Sequence, residues 1–141
     1  MIILLRTVDQ NIQPPYSLHD HNIIELRAEG DLLTLITETG MTKTAAPYSQ
    51  VKGSIEFHKV DWDFCSVYLL EHTGNFGTFP GEKMSLRDFI DRFPVFGLSV
   101  MDETFGYNKT VLDGYLSSQR QFYECFLQIY HEGERIYLTE E

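Results

Sequence analysis

At 141 residues, 43% hydrophobic and 13% aromatic, the chain has the length of one ordinary domain and enough apolar material for a single core. Eleven Lys and Arg against 21 Asp and Glu leave a net charge of −10, which repels phosphate backbones, argues against nucleic-acid binding and suits a basic protein partner. No apolar run reaches helical membrane-spanning length, the first residues lack a signal-peptide pattern, and Cys65 and Cys125 form neither a C-x-x-C pair nor a secreted disulfide framework.

In chain order, Ile2 to Leu5 reads as a short buried strand, followed by a polar loop to Pro14-Pro15. From Asn22 to Ala28, Ile24, Leu26 and Ala28 share one face, and Glu29-Gly30-Asp31 supplies a turn. Leu32 to Thr37 returns as the second strand of this hairpin, which Gly40 ends. "AAPYSQVKG" reads as a loop. In "SIEFHKVDWDFCSVYLLE", Ile55 and Phe57 occupy one parity and Val60, Trp62 and Phe64 the other, so a bulge or short turn near Lys59 must join two strands. "HTGNFGTFPGEK" is a Gly-rich loop.

One helix stands out over 85–93: Ser85 is placed to cap, Leu86, Phe89, Ile90 and Phe93 form one apolar stripe, and Pro94 blocks continuation. Phe96, Leu98 and Val100 then alternate, and Val111 to Leu116 forms a further strand. The segment 119–131 fits a helical stripe as well as a strand. Its aromatic content and the "HEGE" turn before Ile136-Tyr137-Leu138 favour strands. The sum is one domain over 1–141 of α+β class, mainly antiparallel β with seven or eight strands and one short helix; the alternative is an all-β barrel or sandwich.

Two constellations carry chemical interest. His19, Asp20 and His21 stand in a row; on an extended segment the two histidines project from one face about 7 Å apart, a spacing suited to a shared metal ion. His58, Asp61 and Asp63 would complete such a site, whereas the competing reading makes "HDH" turn and cap chemistry, with Asp20 bonded to backbone. The second constellation is aromatic. Trp62, Tyr107 and Tyr115, with further tyrosines, would anchor a protein interface or line a small apolar ligand cavity; the competing reading is a core and its rim. Neither cysteine has a basic neighbour to stabilise a thiolate, and no nucleophile elbow or phosphate loop occurs. Asp102-Glu103 reads as a solvated acidic pair. No catalytic residue and no cofactor follow from the sequence.

"SLHDHNIIELRAEGDLLTLI", about Leu18 to Ile36, resembles the opening of small acidic bacterial proteins: Leu-His-Asp, an apolar strand, a Gly-Asp turn and a second strand. Some of those proteins are immunity proteins that neutralise partner toxins. The net charge of −10, the aromatic surplus and the absence of a catalytic motif lead to a non-enzymatic cytoplasmic interaction or regulatory module, to which the resemblance adds an immunity-type role as the most concrete form and no catalytic residue. The remaining alternatives are a metal-binding protein or metal-dependent enzyme, and a binder of a small apolar ligand.

Overall fold

Turn chemistry and alternation set the first hairpin of the computed structural model, which describes residues 14–71 and 80–140 in full and 3–8 as backbone. β3 (Asn22–Glu29) and β4 (Leu32–Thr37) pair antiparallel, and Gly30 takes the positive φ of 61° that the turn requires. The inward face differs from expectation. A register shift between Ile23 and Glu25 places Ile23 and Leu26 in the core and leaves Ile24 exposed. A bulge changes the phase of a strand, so strict alternation from Ile24 onward misassigns its first residues.

The remaining elements are β1 (Ile3–Val8), β2 (Tyr16–Ser17), β5 (Met41–Lys43), β6 (Gln50–Phe57), β7 (Ser66–Glu71), β8 (Gly81–Ser85), α1 (Leu86–Arg92), β9 (Gly97–Gly106), β10 (Lys109–Ser118), β11 (Gln121–Tyr130) and β12 (Arg135–Glu140). The structure is therefore mostly antiparallel β with one short helix, but among the described residues it has twelve strands, not seven or eight. β2, β5 and β8 account for much of the excess, because runs of two to five residues are too short to show periodicity. β6 also begins inside the expected "AAPYSQVKG" loop, β8 uses the end of the expected Gly-rich loop, and 72–79 lies outside the described residues. Residues 121–130 are strand throughout.

One path orders the sheet as β1-β12-β6-β4-β3-β9-β10-β11-β7-β8, with β1 and β8 at its ends, so the sheet is open and not the alternative closed barrel. It folds over on itself. β3 and β9 pair only at Asn22–Ser99 and Ile23–Leu98, and two chain segments turn a corner together between the halves. There the 58–61 segment runs against 130–134: the His58 amide donates to Glu134, the Gly133 amide to His58, the Glu132 amide to Lys59 and the Asp61 amide to Tyr130, at 3.0–3.1 Å. The parity switch anticipated near Lys59 is this corner, made with Lys59 at φ 52° and a short 3-10 turn over Trp62–Phe64. Inner side chains of both halves then meet. Leu33, Leu35, Ile55, Phe57 and Tyr137 come from one half, and Val67, Leu98, Val100, Leu112, Cys125 and Leu127 from the other.

α1 behaves as its stripe predicts. The Ser85 side chain accepts from the Asp88 amide at 3.1 Å, Leu86 and Phe89 are buried, and Phe89 stacks on Phe93 with ring centres 4.9 Å apart. Phe93 meets Tyr123 edge-on at 6.1 Å. Tyr123 shares its side of β11 with the buried Cys125 and Leu127, so α1 covers that side and leaves the opposite face of β11 clear.

Candidate functional site

The histidines of "HDH" have separate structural duties. His21 is buried, with Nδ1 2.9 Å from the Thr39 hydroxyl and Nε2 2.8 Å from the Thr42 hydroxyl, and burial lowers its pKa despite Asp20. Both ring nitrogens are thereby engaged in the neutral ring. His19 is exposed, bonded through Nδ1 to the Met101 carbonyl, with Nε2 3.4 Å from Asp20. Asp20 holds a φ of 66°, and its main-chain amide donates to the Val100 carbonyl at 2.8 Å; among the described residues its carboxylate meets His19 and not the backbone amides expected for a turn or cap. His58 pairs with Glu56 at 3.1 Å. Asp61 caps the 3-10 turn, accepting from the Asp63 amide at 3.2 Å. Among the described residues no three His, Cys, Asp or Glu side chains gather as a metal would require.

The aromatic candidates also divide. Trp62 donates Nε1–H to the Gly30 carbonyl at 2.8 Å and carries Arg87 over its ring at 4.6 Å, in an open groove with Lys59, Asp61, Asp63 and Glu132. Tyr107 sits exposed in the turn between β9 and β10. Tyr115 is on the outer face of β10. These three do not converge on one cavity.

Between the halves lies a polar cluster that the sequence conceals. Arg135 is 2% exposed, stands over the Phe105 ring at 4.0 Å, and donates Nη1–H to the Thr110 hydroxyl at 3.0 Å. Thr110 lies 3.0 Å from His131 Nε2, and His131 Nδ1 lies 3.0 Å from the Gly133 carbonyl. A carbonyl only accepts, so Nδ1 carries the proton, Nε2 accepts, and the Thr110 hydroxyl donates to it. Burial, with Arg135 adding to it, lowers the His131 pKa and keeps this tautomer neutral. Glu103, expected in solvent, points inward instead, accepting from Ser17 at 3.1 Å and from the Leu18 amide. Burial raises its carboxyl pKa, against those bonds and the Arg135 charge. Arg135 Nε and Nη2 find no hydrogen-bond partner of good geometry among the described residues, and the buried Tyr137 hydroxyl has the Arg135 guanidinium beside it. Alternation places Arg135, Tyr137 and Thr139 on the inner side of β12, with Ile136 and Leu138 opposite, the reverse of what hydrophobicity alone suggests.

The outer face of β8, β7, β11, β10 and β9 is the other concentration of unusual side chains. Cross-strand register aligns Lys83, Tyr68, Phe126, Asp113 and Asp102 in one row and Gly81, Leu70, Glu124, Tyr115 and Ser99 in the next. Phe122 stacks on Tyr115 with centres 5.5 Å apart and planes within 13°. Tyr68 is 47% exposed, Phe122 54% and Tyr115 39%, while Phe64 at the border is 61% exposed. Within this aromatic field Asp113 lies directly across from Asp102 and diagonal to Glu124. Burial, then Glu124, then Asp102 raises its pKa. Like charges facing across strands destabilise a sheet, so the folded chain holds an electrostatic conflict here.

Both thiols are free and buried, and burial pushes Cys125 up to about 12, which keeps it a protonated, inert core residue. A scan against family models and searches of curated proteins and of solved structures found no match to this chain.

Proposed function

We propose that the chain is a non-enzymatic cytoplasmic interaction module whose outer β7–β11–β10–β9 face docks on a basic protein, with neutralisation of a partner toxin as the most concrete form of that role. One observation carries the reading: Tyr68, Phe122 and Tyr115 stand exposed on one continuous sheet face whose carboxylates, Asp102, Asp113 and Glu124, crowd one another. Contiguous exposed aromatics mark interaction surfaces, and Tyr and Phe supply contact area at small conformational cost. The net charge of −10 favours encounter with a cationic surface.

The test is photo-crosslinking in the native cell, with a benzophenone amino acid at Phe122 and, as a remote control, at Tyr48, which is 63% exposed on the far side of the β3–β9 seam. A discrete protein adduct of basic composition at Phe122 and none at Tyr48 is the expected result. Equal labelling at both sites, or none at Phe122, overturns the proposal.

A further inference from the structure

Arg135 is 2% exposed, and Nη1 of its guanidinium donates to the Thr110 hydroxyl at 3.0 Å. Nε and Nη2 share the other edge of the planar group, where two parallel N–H bonds match the two oxygens of a carboxylate. Neither finds a partner of good geometry among the described residues. We propose that this edge, with Tyr137 beside it, binds the carboxylate of a small, singly charged organic acid that arrives through the neighbouring cleft. The site is internal and independent of the outer docking face.

The cleft has a volume of about 270 Å³, and Tyr16, Ser17, His19, Glu103 and Phe105 are among its lining residues. Three of these border the Arg135–Tyr137 pair. The Phe105 ring lies 4.0 Å from the guanidinium, and the Tyr16 ring lies 5.4 Å from that of Tyr137. Glu103 is near enough to feel the Arg135 charge and to act on Tyr137 in turn. Arg135 sits behind this wall, so a ligand reaches it by turning the partly buried Phe105 ring aside.

Charge sets the class of ligand. A buried guanidinium is costly unless an anion compensates it. Glu103 accepts from the Ser17 hydroxyl at 3.1 Å and from the Leu18 amide, and not from the open edge of Arg135. Burial raises its pKa, so it takes up a proton beside an incoming anion more readily than a surface carboxyl does. One ligand carboxylate then meets the one guanidinium, and the Tyr137 hydroxyl has a proton to donate to it. A dianion such as phosphate fits less well, because no lysine or arginine lines the described cleft to meet its second charge. A single water would satisfy the N–H groups but would leave the guanidinium charge as it was.

The experiment titrates isotope-labelled full-length protein with acetate at fixed pH, with chloride and inorganic phosphate as comparison probes at matched ionic strength. The expected result is a saturable shift of the Arg135 Nε–H resonance with acetate, at concentrations several-fold below those at which chloride or phosphate acts. Tyr137→Phe keeps the ring and removes the hydroxyl; it should weaken acetate by about tenfold, the loss of one hydrogen bond to a charged group. The hydroxyl is buried without a partner of good geometry, so this variant should hold or raise the melting temperature. Glu103→Gln removes the competing negative charge and should tighten acetate several-fold, a gain that misfolding does not produce. An unmoved Arg135 resonance, an equal response to chloride, or affinities unchanged in both variants overturns the inference. So does a crystal structure of protein grown with acetate in which the Glu103 carboxylate or an ordered water alone occupies the Nε–Nη2 edge.

Discussion

Replacing Thr110 by valine should destabilise the protein by about 3–5 kcal/mol, although valine matches threonine in shape and leaves no cavity. The hydroxyl at Thr110 accepts from Arg135 Nη1 at 3.0 Å and donates to His131 Nε2 at 3.0 Å, with all three residues buried. Its removal orphans two groups. An unsatisfied neutral acceptor costs about 1–3 kcal/mol, and an unsatisfied donor on a charged group costs about as much or more. The guanidinium is the more sensitive partner, because its Nε and Nη2 already lack partners of good geometry among the described residues. With a urea slope of about 2 kcal/mol per molar, the unfolding midpoint should fall by about 2 M. Thr104→Val on the outer face of β9 serves as the control and should change stability by less than about 0.5 kcal/mol. A Thr110→Val midpoint within about 0.5 M of the parent would show that the cluster does not hold the two halves together as described.

Gly114→Ala should prevent stable folding or cost several kcal/mol, since a Cβ there would lie 1.9 Å from the Ser99 carbonyl oxygen, whereas Gly30→Ala meets nothing within 4 Å and should lose only about 1–2 kcal/mol to its positive φ; thermal melts of the two variants separate the cases. Phe89→Ala should cost about 3–5 kcal/mol in denaturant unfolding, because Phe89 is buried between Phe93 and Phe96. Stability should also depend on pH near neutrality. His21 and His131 have folded pKa values below 6.5, so the folded chain resists protons that the unfolded chain accepts; their contribution is complete above about pH 6.5 and is lost as pH falls from there, by up to about 1.4 kcal/mol per pH unit for each group. His21→Gln, whose amide can serve both Thr39 and Thr42, should flatten this slope in urea titrations between about pH 7.5 and about pH 5.5, and an unchanged slope would refute the assignment.

The periodic parts of the fold were legible in the sequence. The Leu86, Phe89 and Phe93 stripe gave α1, and Gly30 between two apolar runs gave the β3–β4 hairpin. Bulges are not legible in this way, and the one after Ile23 turned Ile24 outward. The candidate residues fared unevenly for a related reason. Tyr115 was singled out and does stand on the aromatic face, but Phe122, Tyr68 and Asp113 join it only through the register of three strand pairs. Glu103 and Arg135 were hidden because a charged side chain reads as solvated until its partners are known. Those partners, Ser17, Thr110 and Phe105, come from elements remote in sequence. The one local signal was the alternation of Arg135, Tyr137 and Thr139 against Ile136 and Leu138, which hydropathy reads with the wrong side inward.

The corner at which 58–61 runs against 130–134 also bears on the order in which the chain folds. β9, β10 and β11 form a meander of neighbouring hairpins over 97–130, closed by short turns and therefore fast to assemble. β6 finds β12, and β1 finds β12, only across separations of some eighty to well over a hundred residues, as in Phe57–Arg135 and Ile3–Glu140. Closing such long loops before they gain contacts is slow, so the pairings of β12 with β6 and β1 are expected to form late. The corner relieves part of that delay. Once β7 has docked on β11, residues 58–61 are carried to 130–134, and β6 and β12 emerge side by side with their register already set. The corner is thus one of two joints between the halves, beside the β3–β9 pairing, and a lesion at Lys59 or Gly133 is expected to slow refolding more than it speeds unfolding, which stopped-flow measurements would check.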